Sequence, residues 1–347
     1  MTLDQSQTLV VKVLSPADHQ RWDDFVNSAE SGTFFHLSGW REIFEEFLGH
    51  KSYYFFVERD NDIVGVLPLV RVKSWLFGDA LISVPFLVYG GPLVEHPDAL
   101  EPLLASASNL AKDLNVDYLE LRNRSPLTDW PAKTSYVTFR KEISPDPEEN
   151  FLAIPRKQRA VVRKAIKADL TADHDDDVDD LYATLSECKR NLGTPFFSRA
   201  YLQKILETFG SDCEILTVRH KGEVLSSVMS FRFRNEVLPY YGGGGLSARR
   251  FGANDFMYWK VMEHACESGV EIFDFGRSQS GTGAYKFKKY WGFEPEPLSY
   301  EYFLVASDSM PQLDPSNQRY KHLINIWSKL PLQVARLIGP PIARRLG

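Results

Sequence analysis

The chain contains one long pattern twice, as GTFFHLSGWREIFEEFLGHKSYYFFVERDNDIVGVLPLV from Gly32 and as GTPFFSRAYLQKILETFGSDCEILTVRHKGEVLSSVMSF from Gly193. Both stretches predict a Gly-Thr turn, two phenylalanines, an amphipathic helix, a strand, a charged turn and a second strand. Each copy continues through a tyrosine-led glycine cluster to a helix, and then to an acidic strand that begins near Val116 in the first copy and near Val270 in the second. Because the offset of roughly 154–161 residues is about the length of one domain, we predict two copies of one domain with a cleft between them.

Composition excludes several classes of protein. The chain of 347 residues has a formal charge of −6, which argues against general binding to nucleic acid and against DNA as a partner. Its three cysteines, Cys188, Cys213 and Cys266, are too far apart in sequence to form a metal or redox pair. Neither a signal peptide nor an apolar run of about 18 residues is visible, so we expect a cytoplasmic protein without a bound metal.

The order of elements predicts an α+β fold. Strands outnumber helices and hairpins alternate with helices, which favours a mixed, mostly antiparallel sheet flanked by helices in each copy. We expect a first domain over residues 1–150, a second over 151–310 and a helical tail over 311–347. Residues 135–142 are predicted to be the last strand of the first copy, and the proline-rich segment 144–155 is predicted to be the link.

The glycine cluster of the second copy is a candidate anion site. It does not have the glycine spacing of a dinucleotide-binding fingerprint. However, a strand ends there, a loop with two arginines follows, and a helix begins, so backbone N–H groups could face an anion. The alternative is a glycine turn with solvated arginines. The residues of this candidate donor loop are Gly243, Gly244, Arg249, Arg250, Gly252 and Asn254.

A second candidate site follows the strand that ends near Asp274. Arg277, Ser278 and Gln279 come directly after that strand, and the short helix that follows carries Tyr285, Lys286, Lys288 and Lys289. Polar groups that leave a strand beside a basic helix can hold an anionic substrate and take part in proton transfer. The alternative is a structural turn beside an exposed basic helix.

The second copy resembles the GNAT N-acyltransferase superfamily. Arg249–Asn254 resembles its pyrophosphate-binding loop, with Asn254 where the superfamily has glycine or alanine, and Trp291–Phe293 resembles its late Gly-Phe turn. Two tandem GNAT-like domains resemble the FemAB family. The combination of FFHLSGW, YGGGG and DFGRS…GTGAYKFKKYWGF is most similar to the FemAB-like proteins of PEP-CTERM/exosortase exopolysaccharide systems. The first copy has no counterpart of the GTGAYKFKKYWGF helix and is interpreted as a degenerate copy that shapes the cleft.

The resemblance implies an N-acyltransferase or aminoacyltransferase, of the general acyltransferase class. It implies no tightly bound cofactor, a donor that is acyl-CoA or aminoacyl-tRNA, and an acceptor amine on a small, lipid-linked or nucleotide-linked glycan precursor of the cell envelope or exopolysaccharide. The open alternative is a non-catalytic GNAT scaffold that binds a glycan or peptidoglycan precursor.

The resemblance and the patterns together give expected roles. The catalytic candidates are Tyr285, Arg277 and His36, although a histidine beside aromatic residues is more often packed in a core. The expected substrate-binding residues are Trp40, Tyr240, Tyr241, Ser278, Gln279, Lys286 and Lys288.

Three charged segments have two interpretations each. The basic helix from Arg156 is either a phosphate clamp or a solvated face. The acidic cluster Asp173–Asp180 is expected to be a solvated linker or helix start, because it does not have the spacing of a calcium loop. The C-terminal segment is predicted to form one helix from about Asn317 to Ile338. This segment either docks on the fold or contacts the inner face of a membrane.

Overall fold

The computed structural model of the chain describes residues 8–74, 78–311 and 318–346. These residues group into two compact units. The first contains residues 8–134, 297–311 and 345–346, and the second contains residues 135–296 and 318–344. The strands, in chain order, are β1 (Val10–Val13), β2 (Lys51–Arg59), β3 (Asp62–Ser74), β4 (Gly78–Ser83), β5 (Leu93–Val94), β6 (Tyr118–Asn123), β7 (Ala132–Lys133), β8 (Tyr136–Thr138), β9 (Arg140–Glu142), β10 (Thr171–Asp175), β11 (Cys213–His220), β12 (Glu223–Phe233), β13 (Glu236–Gly244), β14 (Ile272–Asp274), β15 (Ser278–Gln279), β16 (Glu296–Pro297) and β17 (Ser299–Leu304).

Helices separate the strands, and the segment around Arg249 and Arg250, which was predicted to be a loop, is helical. No helix in the described ranges is long and apolar enough to cross a membrane. The α-helices are α1 (His19–Ser28), α2 (Gly39–Glu42), α3 (Leu100–Asp113), α4 (Pro147–Ala153), α5 (Arg156–Lys167), α6 (Asp179–Asn191), α7 (Arg199–Phe209), α8 (Leu246–Phe251), α9 (Ala253–Glu267), α10 (Gly283–Tyr290), α11 (Gln318–Ser328) and α12 (Leu332–Ala343).

The main sheets of the two units share the topology of their first six strands. The main sheet of the first unit has the order β1-β2-β3-β4-β6-β17-β7, and that of the second has the order β10-β11-β12-β13-β14-β9. In both sheets the first four strands are antiparallel, the fourth pairs in parallel with the fifth, and the sixth is antiparallel to the fifth. Helix α3 connects the parallel pair in the first unit, and helices α8 and α9 connect it in the second. The expectation of a mixed, mostly antiparallel sheet in each copy is confirmed.

The sixth strand of each sheet comes from the other half of the sequence. The strand β9 precedes the second copy in the chain but pairs with β14, and β17 follows the second copy but pairs with β6. The prediction that residues 135–142 form the last strand of the first copy is therefore wrong. The expected boundaries at 150 and 310 differ from the observed grouping for the same reason, because backbone pairing places 135–150 in the second unit and 297–311 in the first.

Several predicted element boundaries also change. The strand predicted from Leu81 to the glycine cluster stops at Ser83, since Val84 and Phe86 have positive φ angles of 45° and 70°. The predicted link 144–155 contains α4, which begins at Pro147 and is capped by the Asp146 side chain. The hairpin turn between β2 and β3 is confirmed.

The charged linker is also more ordered than expected. The segment after α5 forms the edge strand β10, which pairs with β11. Its Asp175 binds Arg219 of β11 at 2.8 Å, and Asp180 of α6 binds the same guanidinium at 2.7 Å. The acidic cluster therefore lies partly in a strand, where Asp175 is paired with an arginine of the neighbouring strand, and partly in the first turn of α6, as expected for a helix start.

The C-terminal segment forms two helices rather than one. The predicted start at Asn317 lies outside the described residues. The helix breaks before α12, where Pro331 has no N–H group to donate and disfavours helical geometry in the residue before it. Helix α12 then continues through Pro340 and Pro341 to Ala343. Both helices pack on α6 of the second unit, and Arg336 donates to the Ser186 hydroxyl at 2.9 Å.

Candidate functional site

The candidate site of the second unit lies where β13 and β14 stop pairing. Only two residue pairs join these parallel strands, Glu236 with Ile272 and Val237 with Phe273. Beyond this point β13 continues to Gly244, whereas the chain after β14 turns at Gly276, whose φ is +67°, and forms β15 against β8. The backbone therefore turns away from β13 at the end of β14, and polar side chains collect at this corner.

Lys288 of α10 is buried at this corner, with 9% of its surface exposed. Its ammonium nitrogen donates to the backbone oxygens of Gly276 at 2.8 Å and Arg277 at 3.1 Å, and it lies 5.6 Å from the centre of the Phe139 ring. Because burial disfavours the charged form, the pKa of Lys288 falls from its ordinary value to about 7. This lysine is therefore near its midpoint of protonation at neutral pH.

Other charges at the corner are mostly positive. Arg277 stacks on the Tyr136 ring, 4.6 Å from its centre, and lowers the pKa of Lys288 and of Lys189 on α6. Burial is the larger cause of the lowered Lys189 pKa, although its side chain is partly exposed. The nearby Asp274 carboxylate acts in the opposite direction on Lys288, but it is shared with Thr138, the Gly276 N–H and Arg140. The corner therefore favours an anionic ligand or an anion that forms during a reaction.

The geometry of Lys288 suits a change in protonation. Two of its N–H bonds are directed to backbone oxygens in either form. The neutral amine therefore has one lone pair left, and the ammonium has one further N–H in its place. A group held in this way can accept a proton or donate a hydrogen bond without moving.

The other predicted residues of this segment differ in exposure. Ser278 is buried, and its hydroxyl has no hydrogen-bond partner among the described residues. Tyr285 is half-buried, with its ring edge-on to Phe139 at 5.4 Å, whereas Lys286 is exposed on the outer face of α10. The structure therefore brings together Arg277, Ser278, Tyr285 and Lys288, but it places Lys286 in solvent.

The tyrosines of β13 have different environments. The pairing of β12 with β13 shifts its register by a β-bulge at Tyr240, whose side chain is half-buried. Tyr241 is buried and bonds the Tyr201 hydroxyl at 2.9 Å, and burial raises its pKa well above the ordinary value. Tyr241 therefore belongs to the core, and Tyr240 remains a proposed ligand contact.

The glycine cluster allows β13 to pack closely against three helices, α6, α8 and α9. A Cβ at Gly243 would lie 2.8 Å from the Cβ of Cys188 on α6. A Cβ at Gly244 would lie 2.5 Å from the Asn254 Oδ1 and 2.7 Å from the Ala248 Cβ. These glycines are therefore required by protein contacts, so their occurrence does not by itself indicate a ligand.

Helix α5 covers part of the predicted pyrophosphate loop. A Cβ at Gly252 would lie 2.6 Å from the Val161 side chain of α5, and Lys164 of α5 donates to the Arg250 backbone oxygen at 3.2 Å. The carboxylate of Asp255, in the first turn of α9, accepts from Gln158 of α5 and from Trp291. A carboxylate already stands where the helix N-terminus would attract a phosphate, although burial raises its pKa.

Two predicted residues belong to the core of the first unit. Both ring nitrogens of His36 are engaged, Nδ1 with Thr33 and Nε2 with the Gly91 oxygen at 2.9 Å, and burial lowers the pKa of His36 to about 4. Trp40 is fully buried and donates to the Phe34 oxygen at 3.1 Å. The structure gives neither side chain the access that a base or a substrate contact needs.

Sequence reasoning missed Lys189 and Asp274. Asp274 carried a visible signal, since an acid in an otherwise apolar strand needs partners inside the protein. Lys189 carried no such signal, because it lies on α6, far in sequence from the other residues of the corner.

The comparison with family models finds one match. Residues 156–289 match the family described as an acetyltransferase (GNAT) domain. The match begins at α5 and ends in α10, so it includes the corner with Arg277 and Lys288. It covers less than half of the chain and supports a transferase. No curated protein matches the sequence.

Solved structures extend the fold assignment to both units. A crystal structure of FemX is 16% identical with a TM-score of 0.67, and the match covers 86% of this chain and 98% of that chain. The C-terminal domain of a putative lysylphosphatidylglycerol synthetase from Agrobacterium fabrum is 13% identical with a TM-score of 0.55, and the match covers 82% of this chain and 91% of that chain. A tandem GNAT protein from the clavulanic acid biosynthesis pathway is 12% identical with a TM-score of 0.54, and the match covers 87% of this chain and 100% of that chain. The fold is α+β, with two tandem GNAT-like domains.

Proposed function

We propose that the chain is an N-acyltransferase that moves an activated acyl or aminoacyl group to an amine of a cell-envelope or exopolysaccharide precursor. The observation that carries this proposal is Lys288, a buried lysine with a pKa of about 7 at the corner after β14. The match of this region to the GNAT acetyltransferase family supports the reaction type. The resemblance to the FemAB family, including its PEP-CTERM-associated members, supports the acceptor class.

In the proposed reaction the acceptor amine attacks the carbonyl carbon of the donor. Neutral Lys288 takes the proton that the nitrogen loses, and the new ammonium keeps its bonds to the Gly276 and Arg277 oxygens. The tetrahedral intermediate then expels the thiol sulfur or the ribose oxygen of the donor, which takes up the proton from the Lys288 ammonium and returns the lysine to its neutral form. We propose that the charge of Arg277 and the Ser278 hydroxyl, which has no hydrogen-bond partner among the described residues, stabilise the oxyanion. Tyr285, Tyr240 and Gln279 are proposed to contact the acceptor.

The contacts of helix α5 restrict where the phosphates of the donor can bind. Because α5 and the Asp255 carboxylate occupy the start of α9, we favour a donor whose phosphates bind elsewhere. Aminoacyl-tRNA is such a donor, and the exposed cations of α5 and α8 can contact its backbone phosphates. Acyl-CoA is the alternative donor. Since both donors are cytoplasmic, we propose that the reaction takes place there. The exposed cations on α5 and α8 are Arg156, Lys157, Arg163, Lys164, Lys167, Arg249 and Arg250.

Replacement of Lys288 tests the proposal. We expect Lys288→Met to lower the rate of transfer by about 100-fold or more, because general base catalysis contributes on this scale. The exposed neighbour Lys286 supplies the matched control, and Lys286→Met should keep the rate within about threefold, since its side chain lies outside the corner. Release of CoA thiol or of deacylated tRNA is measured with nucleotide-linked and lipid-linked precursors that bear a primary amine.

Two results would contradict the proposal. Wild-type activity of Lys288→Met would remove this residue from the reaction. Tight binding of a precursor without turnover of either donor would instead support a non-catalytic glycan-binding protein.

A further inference from the structure

We infer that the C-terminal helices α11 and α12 form a surface that binds the interface of an anionic lipid membrane. This inference does not depend on the proposed reaction. It rests on three features of residues 318–346: an inner face that packs on the protein, an apolar outer face, and charged residues that are all positive.

The inner face of α12 is docked on the second unit. Ala335, Gly339 and Ala343 recur at helical spacing and are buried. A Cβ at Gly339 would lie 3.0 Å from the Phe196 backbone oxygen, so the helix approaches its neighbour closely. The small residues therefore already fix the helix to the protein, and its other face is directed outwards.

The outer face of α12 is apolar as well. Leu337 is 78% exposed, and Val334, Ile338 and Ile342 are also exposed at positions that share one side of a helix. A docked helix of a globular protein normally has polar residues on its solvent side. On α11, Leu323 and Ile326 are exposed in the same way, although Trp327 is buried.

The charge of this segment indicates its partner. Residues 318–346 contain six lysines and arginines and no aspartate or glutamate, in a chain whose formal charge is −6. Lys329, in the turn between the two helices, and Arg344 and Arg345, after α12, are exposed. An apolar helix face with cations at its ends matches the acyl region and the anionic headgroups of a membrane.

A second copy of the chain fits this surface less well. Each copy would bring the same cations to an interface, and like charges with no acids between them oppose association. An anionic lipid surface supplies the opposite charge and also covers the apolar side chains. The helices would lie in the plane of the interface.

Vesicle binding by the full-length protein tests the inference. We expect co-sedimentation with phosphatidylglycerol-containing vesicles, weaker binding to pure phosphatidylcholine, and a decrease between about 0.05 and about 0.5 M salt, since screening weakens the attraction to anionic headgroups. Leu337→Asp should weaken the binding about tenfold or more, because a leucine of this exposure would enter the acyl region. Lys329→Glu combined with Arg345→Glu should weaken it on anionic vesicles only.

Leu152→Asp is the matched control, because Leu152 is a comparably exposed leucine on α4 of the same unit and should leave binding unchanged. Thermal unfolding confirms that each variant is folded. Absence of binding to anionic vesicles, or equal binding to neutral ones, would overturn the inference. Dimerisation that Leu337→Asp abolishes would assign the surface to a second copy instead.

Discussion

At the scale of single residues, the corner after β14 shows how burial changes the chemistry of a lysine. Lys286 and Lys288 lie two positions apart on α10, yet the first is exposed and the second is buried beside the Phe139 ring and two backbone oxygens. The buried amine retains hydrogen-bond partners, so its burial costs less than that of an isolated charge. Its ammonium form nevertheless remains disfavoured, which lowers its pKa to about 7.

This lowered pKa predicts how stability depends on pH. Between pH 7 and 10.5 the unfolded chain binds the Lys288 proton and the folded chain does not, so this group raises the free energy of unfolding as pH rises. The slope is at most about 1.4 kcal/mol per pH unit. We therefore expect the stability of Lys288→Met relative to wild type to fall between pH 7 and 9 in urea unfolding.

Lys286→Met is the control, because it removes an exposed lysine from the same helix. A constant difference for Lys288→Met over the same range would show that the lysine stays protonated in the fold.

At the scale of elements, the glycine run at the end of β13 is explained by helix packing. Helices α6 and α8 approach the strand so closely that side chains at Gly243 and Gly244 would meet Cys188 and Ala248. In the sequence the same residues resembled an anion-binding loop. A glycine permits close approach of a ligand as readily as close approach of a helix, and the residue itself does not indicate which of the two is present. Only the contacts distinguish the two explanations.

Substitution of this run should therefore affect folding. We expect Gly243→Val to lower the free energy of unfolding by about 1–3 kcal/mol, the usual cost of overpacking a core. Gly283→Ala at the start of α10 is the control, since its Cβ would meet nothing within 4 Å. If Gly243→Val kept wild-type stability but lost donor binding, the glycine would instead be a ligand contact.

At the scale of the whole molecule, the exchange of the last strands joins the two halves of the sequence. Residues of β17 complete the first unit: Tyr300 and Tyr302 are buried there, and the Glu301 carboxylate accepts from the Leu127 and Thr128 N–H groups at 2.8 and 3.0 Å. Without β17, the edge of β6 and an apolar surface beside it would be exposed.

We expect a fragment of residues 8–134 to aggregate, and the same fragment joined by a flexible linker to residues 297–311 to unfold cooperatively. The control is the joined fragment with Tyr300→Asp, which should fail to fold because a charge would replace a buried ring. Circular dichroism and sedimentation distinguish the cases. A stable monomer of 8–134 alone would show that the exchange is not needed for stability.

The sequence by itself determined the duplication, the types of most elements and the α+β class, because these depend on local periodicity and on turn residues such as Asp60-Asn61. It also predicted that Arg277, Ser278 and Tyr285 leave one strand and enter one helix. Only the tertiary structure decided which sheet receives β9 and β17, since strand pairing between distant segments has no local signal. It also decided that Lys288 is buried and Lys286 is not. Burial depends on which face of α10 meets the aromatic rings behind β14, and neighbouring lysines in a basic helix look alike until that face is known.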